Sequence, residues 1–170
     1  MVTEPHLPDP EAYYPGAGGE EHPGPASVRL PAAMTDLIVA HARAAMPNEA
    51  CGIIVGDRPA AEGGVARRWL PLRNALASPA RYAIDPDDLL RITIETDDAD
   101  EVFWAIVHSH VASPARPSPT DVRESHYPDA LYILVSLAPG EVDRMTGRPG
   151  VRSWRVLDGA VHEVELLIDG

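Results

Sequence analysis

The chain has 170 residues, of which 45% are apolar and 24% charged, a length and composition that suit one compact domain plus a tail. A net charge of −12 opposes nonspecific attraction to nucleic acid or anionic membrane, both of which depend on Lys and Arg neutralising phosphate. No apolar run approaches the roughly 18 to 20 residues that span a bilayer, no basic-then-apolar leader is evident, and the single cysteine, Cys51, excludes an intrachain disulfide and fits a reducing compartment. The expectation is a cytoplasmic protein whose partner is a protein or a small molecule, with no role for nucleic acid or membrane.

Residues 1 to 27 are rich in proline, glycine and acids and poor in aliphatic side chains, so they are read as a disordered arm. His6 and His22 in it have no partner ligands at useful spacing. From Pro31 the pattern changes. Met34, Leu37, Ile38, His41 and Ala45 recur at helical spacing, which predicts an amphipathic helix ending before Pro47. Cys51 to Val55 and Val65 to Leu72, separated by Gly56-Asp57 and Gly63-Gly64, predict an antiparallel strand pair. Tyr82 to Ile84 reads as a short strand. Asp85 is a natural N-cap for a second helix from Pro86 to about Thr96, with Leu89, Leu90 and Ile94 at helical spacing. Phe103 to Val107 is a strand leading into two histidines, a short helix starts near Ser118-Pro119, and Leu131 to Leu137 is a buried central strand. Val151 to Leu157 and Val161 to Ile168 flank Asp158-Gly159 and predict a closing hairpin. The order of elements predicts an α/β domain over 28–170, a mixed sheet flanked by helices.

The chemistry concentrates in His108-Ser109-His110 and Asp121. Side chains at i and i+2 of a strand share a face, so His108 and His110 offer two imidazoles to one ion. Zinc accepts such a pair with Asp as third ligand and water as fourth, and an open position lowers the pKa of that water from about 16 to near 7. Each piece alone has an ordinary reading: paired histidines at a strand end, and Asp121 closing a capping box begun by Ser118, with Pro119 at the first helical position. The readings are compatible, because a helix capped by Ser118 holds Asp121 in its first turn, where it can be aimed at an ion. Glu49, ahead of the Cys51 strand, is a loop acid in a position to act as general base. Other paired-histidine architectures fit less well. Ala112 and Ser113 stand where a metallo-β-lactamase-type HxHxDH site needs its last two ligands, a barrel amidohydrolase needs roughly 250 residues, and no HExxH or paired-cysteine motif occurs. Cys51, at the start of an apolar strand, reads as a small packing residue rather than a nucleophile. Trp104 is read as core, His41 and His126 as packing, surface or supporting residues, and His162 as without a role.

Taken together, Glu49, His108-x-His110, seven residues, Ser118, two residues and Asp121 resemble the JAMM motif of the MPN-domain zinc metalloproteases, with every position filled. The resemblance implies a single MPN-type, cytidine-deaminase-like domain in which His108, His110 and Asp121 bind zinc, Glu49 is the acid-base residue and Ser118 helps stabilise the oxyanion. It implies cleavage of an amide or isopeptide bond after the C-terminal Gly-Gly of a small ubiquitin-like protein. Asn48 to Gly56, the Ser118 to Val122 segment and Tyr132 to Ser136 look like the short bacterial members that act on sulfur-carrier proteins and release cysteine. Val111 departs from the proline that often follows the second histidine, which touches the 111 to 117 loop rather than the metal geometry. A non-catalytic MPN scaffold is the alternative, and a homodimer is left open.

Overall fold

The structure, a computed structural model, describes residues 24–169. The arm expected over 1 to 27 therefore lies outside the described residues as far as 23, and its last residue already belongs to a strand. That strand, β1 (Ser27–Pro31), precedes helix α1 (Ala32–Ala45), and the chain continues as β2 (Cys51–Gly56), β3 (Ala66–Leu72), α2 (Pro86–Asp98), β4 (Val102–His110), α3 (Pro119–Arg123), β5 (Leu131–Ser136), β6 (Gly150–Leu157) and β7 (Ala160–Asp169). The strands form one seven-stranded sheet in the order β1-β7-β6-β5-β4-β2-β3. It is mixed as expected: β4 runs parallel to β5 and β1 parallel to β7, while the remaining neighbours are antiparallel.

The two central strands read as continuous apolar runs because both faces are covered. Leu30, Ile38, Ala42, Ile54, Val107, Ile133 and Val135 form the core beneath α1. Ile53, Val55, Ile92, Ile106, Tyr132, Leu134 and Trp154 form the core on the opposite face, beneath α2. Trp104 is 1% exposed and its indole donates to the Gly64 carbonyl at 2.9 Å, which bears out its core reading. Gly52 allows a close approach within the β2–β3 pair, since a Cβ there would meet the Trp69 ring and the Leu70 carbonyl. The closing hairpin turns at Asp158 and Gly159, with φ of 49° and 78°, the left-handed pair of a two-residue turn that the Asp-Gly dipeptide favours.

Three expectations are corrected. Strand β1 was missed: it is five residues long, ends on a proline and pairs with the last strand of the chain, so nothing local marks it. Both long helices exist, and Met34, Ile38 and Ala45 on α1 and Leu89 on α2 pack on the core as read from spacing, but three of the apolar residues on those faces do not. Thr35, Ile38 and Ala42 are buried on α1 and Ile92 and Thr96 on α2, whereas Leu37, Leu90 and Ile94 are exposed. Tyr82 to Ile84 forms no strand, only a single bridge between Ile84 and Asn74. Among the described residues no helix is long and apolar enough to cross a membrane.

Candidate active site

Strand β4 carries the histidines further into regular structure than expected, since pairing with β5 continues through His108↔Leu134 to His110↔Ser136. The side chains of 108 and 110 leave one face of the sheet and Ser109 the other. Both histidines are at most 3% exposed. The loop after them is fixed by three successive carbonyls: Ser113 accepts from the Ser136 hydroxyl at 2.6 Å, Pro114 from His110 Nδ1 at 2.7 Å and Ala115 from Trp154 Nε1 at 2.9 Å. The second of these sets the His110 tautomer, placing the proton on Nδ1 and leaving the Nε2 lone pair for the site. The path of the loop after Val111 is thus defined without a proline there.

Helix α3 delivers the carboxylate. Ser118 Oγ accepts from the Asp121 N–H at 3.1 Å while Asp121 Oδ2 accepts from the Ser118 N–H at 2.6 Å, the reciprocal capping box read from the sequence. Pinned in this way, Asp121 puts Oδ1 3.3 Å from His108 Nε2 and Oδ2 3.3 Å from His110 Nε2, and the two imidazole nitrogens are themselves 3.3 Å apart. His108, His110 and Asp121 are a group able to hold a metal ion. The spacing meets a specific demand: tetrahedral bonds of about 2.0 to 2.2 Å to zinc separate neighbouring ligand atoms by about 3.3 to 3.6 Å.

The three groups shift one another's titration through their mutual contacts. Burial opposes charge on Asp121, yet bonds from His108, His110 and Ser118 outweigh it and hold its carboxyl well below the ordinary range. Burial lowers the His108 pKa against the pull of Asp121. It works the same way on His110, where Asp121 and the Pro114 carbonyl prevail and the pKa is raised.

Glu49 sits in the turn between α1 and β2, where it is only 5% exposed. Burial raises its carboxyl to about 7, the charge of His110 draws it down and that of Asp121 pushes it up, so it shares an electrostatic environment with the ligand set. A cavity of about 650 Å³ opens beside it, lined by His41, Asn48, Glu49, Leu72, Arg73 and Asn74 among others. The structure thus brings His108, His110 and Asp121 together, has Ser118 cap the helix that carries Asp121, and relates Glu49 to them through charge.

Of the remaining candidates, Cys51 is 1% exposed and its thiol is pushed up to about 12 by burial and by Glu49, which leaves no thiolate to act as a nucleophile. His41 is a tie rather than a ligand, its Nε2 lying 3.1 Å from the Cys51 carbonyl and 3.2 Å from that of Leu72. His126 lines a separate cavity with Tyr82, Glu124 and Tyr132. Sequence reasoning missed Tyr82, whose ring stacks on His108 with centroids 4.5 Å apart and planes 23° apart. No spacing rule links a loop aromatic to a strand histidine, so the sequence carried no signal for it.

Comparison with known proteins adds the family. Residues 31–157 match the model of the prokaryotic homologs of the JAB domain. The chain belongs to that family. This JAB-domain chain is 42% identical over 134 residues to the CysO-cysteine peptidase of Mycobacterium bovis, covering 76% of the chain and 83% of the relative. It is 31% identical over 112 residues to the desampylase of Haloferax volcanii, covering 63% and 78% respectively. The solution structure of a protein from Desulfitobacterium hafniense superposes with a TM-score of 0.68 at 30% identity, covering 83% of the chain and 92% of that protein.

Proposed function

We propose that the chain is a zinc-dependent peptidase or isopeptidase that hydrolyses the amide bond after the C-terminal Gly-Gly of a small ubiquitin-like sulfur-carrier protein, with cysteine as leaving group. The observation that carries the chemistry is the convergence of two imidazole nitrogens and a carboxylate at 3.3 Å spacing beside a buried acid whose pKa lies near neutrality. The substrate class is supported by the names of the relatives, one a CysO-cysteine peptidase and one a desampylase.

His108, His110 and Asp121 would hold the ion. Zinc in such a site supplies a Lewis acid that polarises a carbonyl and makes water acidic enough to attack at neutral pH. Glu49 takes the proton from the attacking water and returns it to the departing amine; a carboxyl with a pKa near 7 does both, because it exchanges a proton at little cost in either direction. Burial of Glu49 keeps that proton from bulk solvent. The Ser118 hydroxyl oxygen already accepts from the Asp121 N–H, so its own hydrogen is left to donate to the oxyanion that develops on the scissile carbonyl. Gly-Gly suits the approach, since an extended backbone without side chains passes through a groove that bulkier residues would block.

Metal analysis of the purified full chain tests the reading against that of a scaffold. Close to one equivalent of zinc is expected, with cleavage of a diglycine-linked adduct lost on chelation and restored by zinc. Well below one equivalent, or cleavage indifferent to the chelator, would overturn it.

A further inference from the structure

The segment 73–85 between β3 and α2 has no helix or strand, yet it is tightly ordered around one side chain. Asn74 Nδ2 donates to the carbonyls of Arg81 at 2.9 Å, Glu49 at 3.0 Å and, more weakly, Ser78 at 3.5 Å. Its Oδ1 accepts from the amides of Leu76 at 3.0 Å and Ala83 at 3.2 Å. The Ala75 amide to the Ala83 carbonyl, 2.8 Å, closes the base of the loop. One carboxamide thus meets main-chain groups on both limbs of the segment and one outside it, and that one belongs to Glu49.

The link matters because, among the described residues, no hydrogen bond is made by the Glu49 carboxylate; its position follows from its backbone. Every polar main-chain group of Glu49 and Ala50 is held. The Glu49 amide donates to the Ser78 carbonyl at 2.9 Å and its carbonyl accepts from Asn74. The Ala50 amide donates to Ser109 Oγ at 2.8 Å, and its carbonyl accepts from the Ser109 amide at 3.0 Å. Ser109 lies between the two histidines, so it ties the acid to the metal-ligand strand from one side while segment 73–85 ties it from the other. The same segment reaches the rest of the site: Tyr82 stacks on His108, and Arg81 pairs with Glu124 at 2.6 Å just past α3, the helix that carries Asp121.

We propose that Asn74 is a positioning residue for the reaction, acting through the backbone of Glu49 to set the acid against the histidines, with Ser109 as its counterpart on β4. The proposal rests on the assignment of Glu49 as acid-base residue. Asn74 Oδ1 serves the loop alone, whereas Nδ2 serves Glu49 together with the Arg81 and Ser78 carbonyls, so the loop keeps the Oδ1 half of its support when the donor is removed. Asn74→Asp keeps an acceptor for the Leu76 and Ala83 amides and loses the donation to Glu49 and Arg81.

The experiment compares full-length wild type, Asn74→Asp, Glu49→Gln, Ser109→Ala and Ser109→Thr by zinc content, by steady-state cleavage of a synthetic carrier tail ending Gly-Gly-Cys, and by amide exchange of Glu49 and Ala50 in the metal-free chain. Asn74→Asp is expected to keep one zinc and a KM within about threefold of wild type. Its kcat should fall about 10- to 100-fold, the scale of a small misplacement of a reacting group, with faster exchange at Glu49. Ser109→Ala should fall likewise, and Ser109→Thr, which keeps the hydroxyl, should recover. Wild-type kcat in Asn74→Asp, or a fall matched by an equal loss of zinc or of folded protein, overturns the positioning role. Full activity in Glu49→Gln would instead overturn the assignment beneath it. Should the wild type fail to cleave the tail, amide exchange decides: Glu49 protection in Asn74→Asp equal to wild type sinks the proposal.

Discussion

The two faces of strand β4 at its last residues answer to different demands. On the α1 face, Val107 is buried among Ile38, Ala42, Ile133 and Val135, and the one polar side chain, Ser109, is satisfied by the Ala50 amide. On the other face stand two buried imidazoles, a carboxylate held far below its ordinary pKa and a second acid raised to about 7. Among the described residues, His108 Nδ1 is buried there without a hydrogen-bond partner, a cost that an ordinary core does not carry. One face is built to be stable and the other to hold charge out of water. The lesson is that the site is set on a rigid strand whose opposite side supplies the stability that the site itself forgoes.

Substitutions on the two faces should therefore fail differently. The largest effect is expected on the site face, where Glu49→Gln should lower kcat by about three orders of magnitude, roughly 4 kcal/mol of barrier, while zinc stays bound; kinetics with metal analysis check this. On the α1 face Ile133→Ala should cost about 2 to 5 kcal/mol of stability in a urea titration, and the folded fraction should still bind one zinc. Third comes a gain. With a folded-state pKa of about 7 against 4.5 for the free side chain, Glu49 keeps its proton in the native state where the unfolded chain has lost it. The native state then binds more protons between about pH 4.5 and 7, so stability falls as pH rises through that window. Glu49→Gln should accordingly stabilise the metal-free protein by up to about 3 kcal/mol at pH 8 and by almost nothing at pH 4. Thermal unfolding at the two pH values measures it, and a gain independent of pH would contradict the burial of the charge. Smallest, Ser118→Ala should lower stability by about 1 kcal/mol through loss of the α3 cap. Because the same cap aims Asp121, it should also weaken zinc binding in a competition titration.

What was legible in the sequence follows the range of the interactions. The Asp85 and Ser118 caps, the Asp-Gly hairpin and the 108–110 pair depend on residues within a few positions of one another, and the structure has each of them. Strand β1 depends on a partner at the far end of the chain. The exposed Leu37, Leu90 and Ile94 show that helical periodicity finds a helix more readily than the full extent of the face it buries: Thr35, Ala42 and Thr96 join Ile38 and Ile92 in the contacts. Asn74 and Tyr82 were invisible for a related reason. Each acts across the fold, on Glu49 and on His108, from a segment in which only Tyr82 to Ile84 reads as an element and nothing local marks either link.

The central claim, hydrolysis after Gly-Gly by a zinc-loaded site with Glu49 as its acid-base residue, is tested most directly by intact mass. A small carrier protein ending Gly-Gly and joined through an amide to cysteine is incubated with the zinc-loaded full chain and with its Glu49→Gln variant. The account predicts that wild type returns the carrier to its free diglycine mass, one cysteine residue below that of the adduct, and that the variant leaves the adduct intact. An adduct untouched by zinc-loaded wild type, or cleaved equally by both proteins, would contradict it.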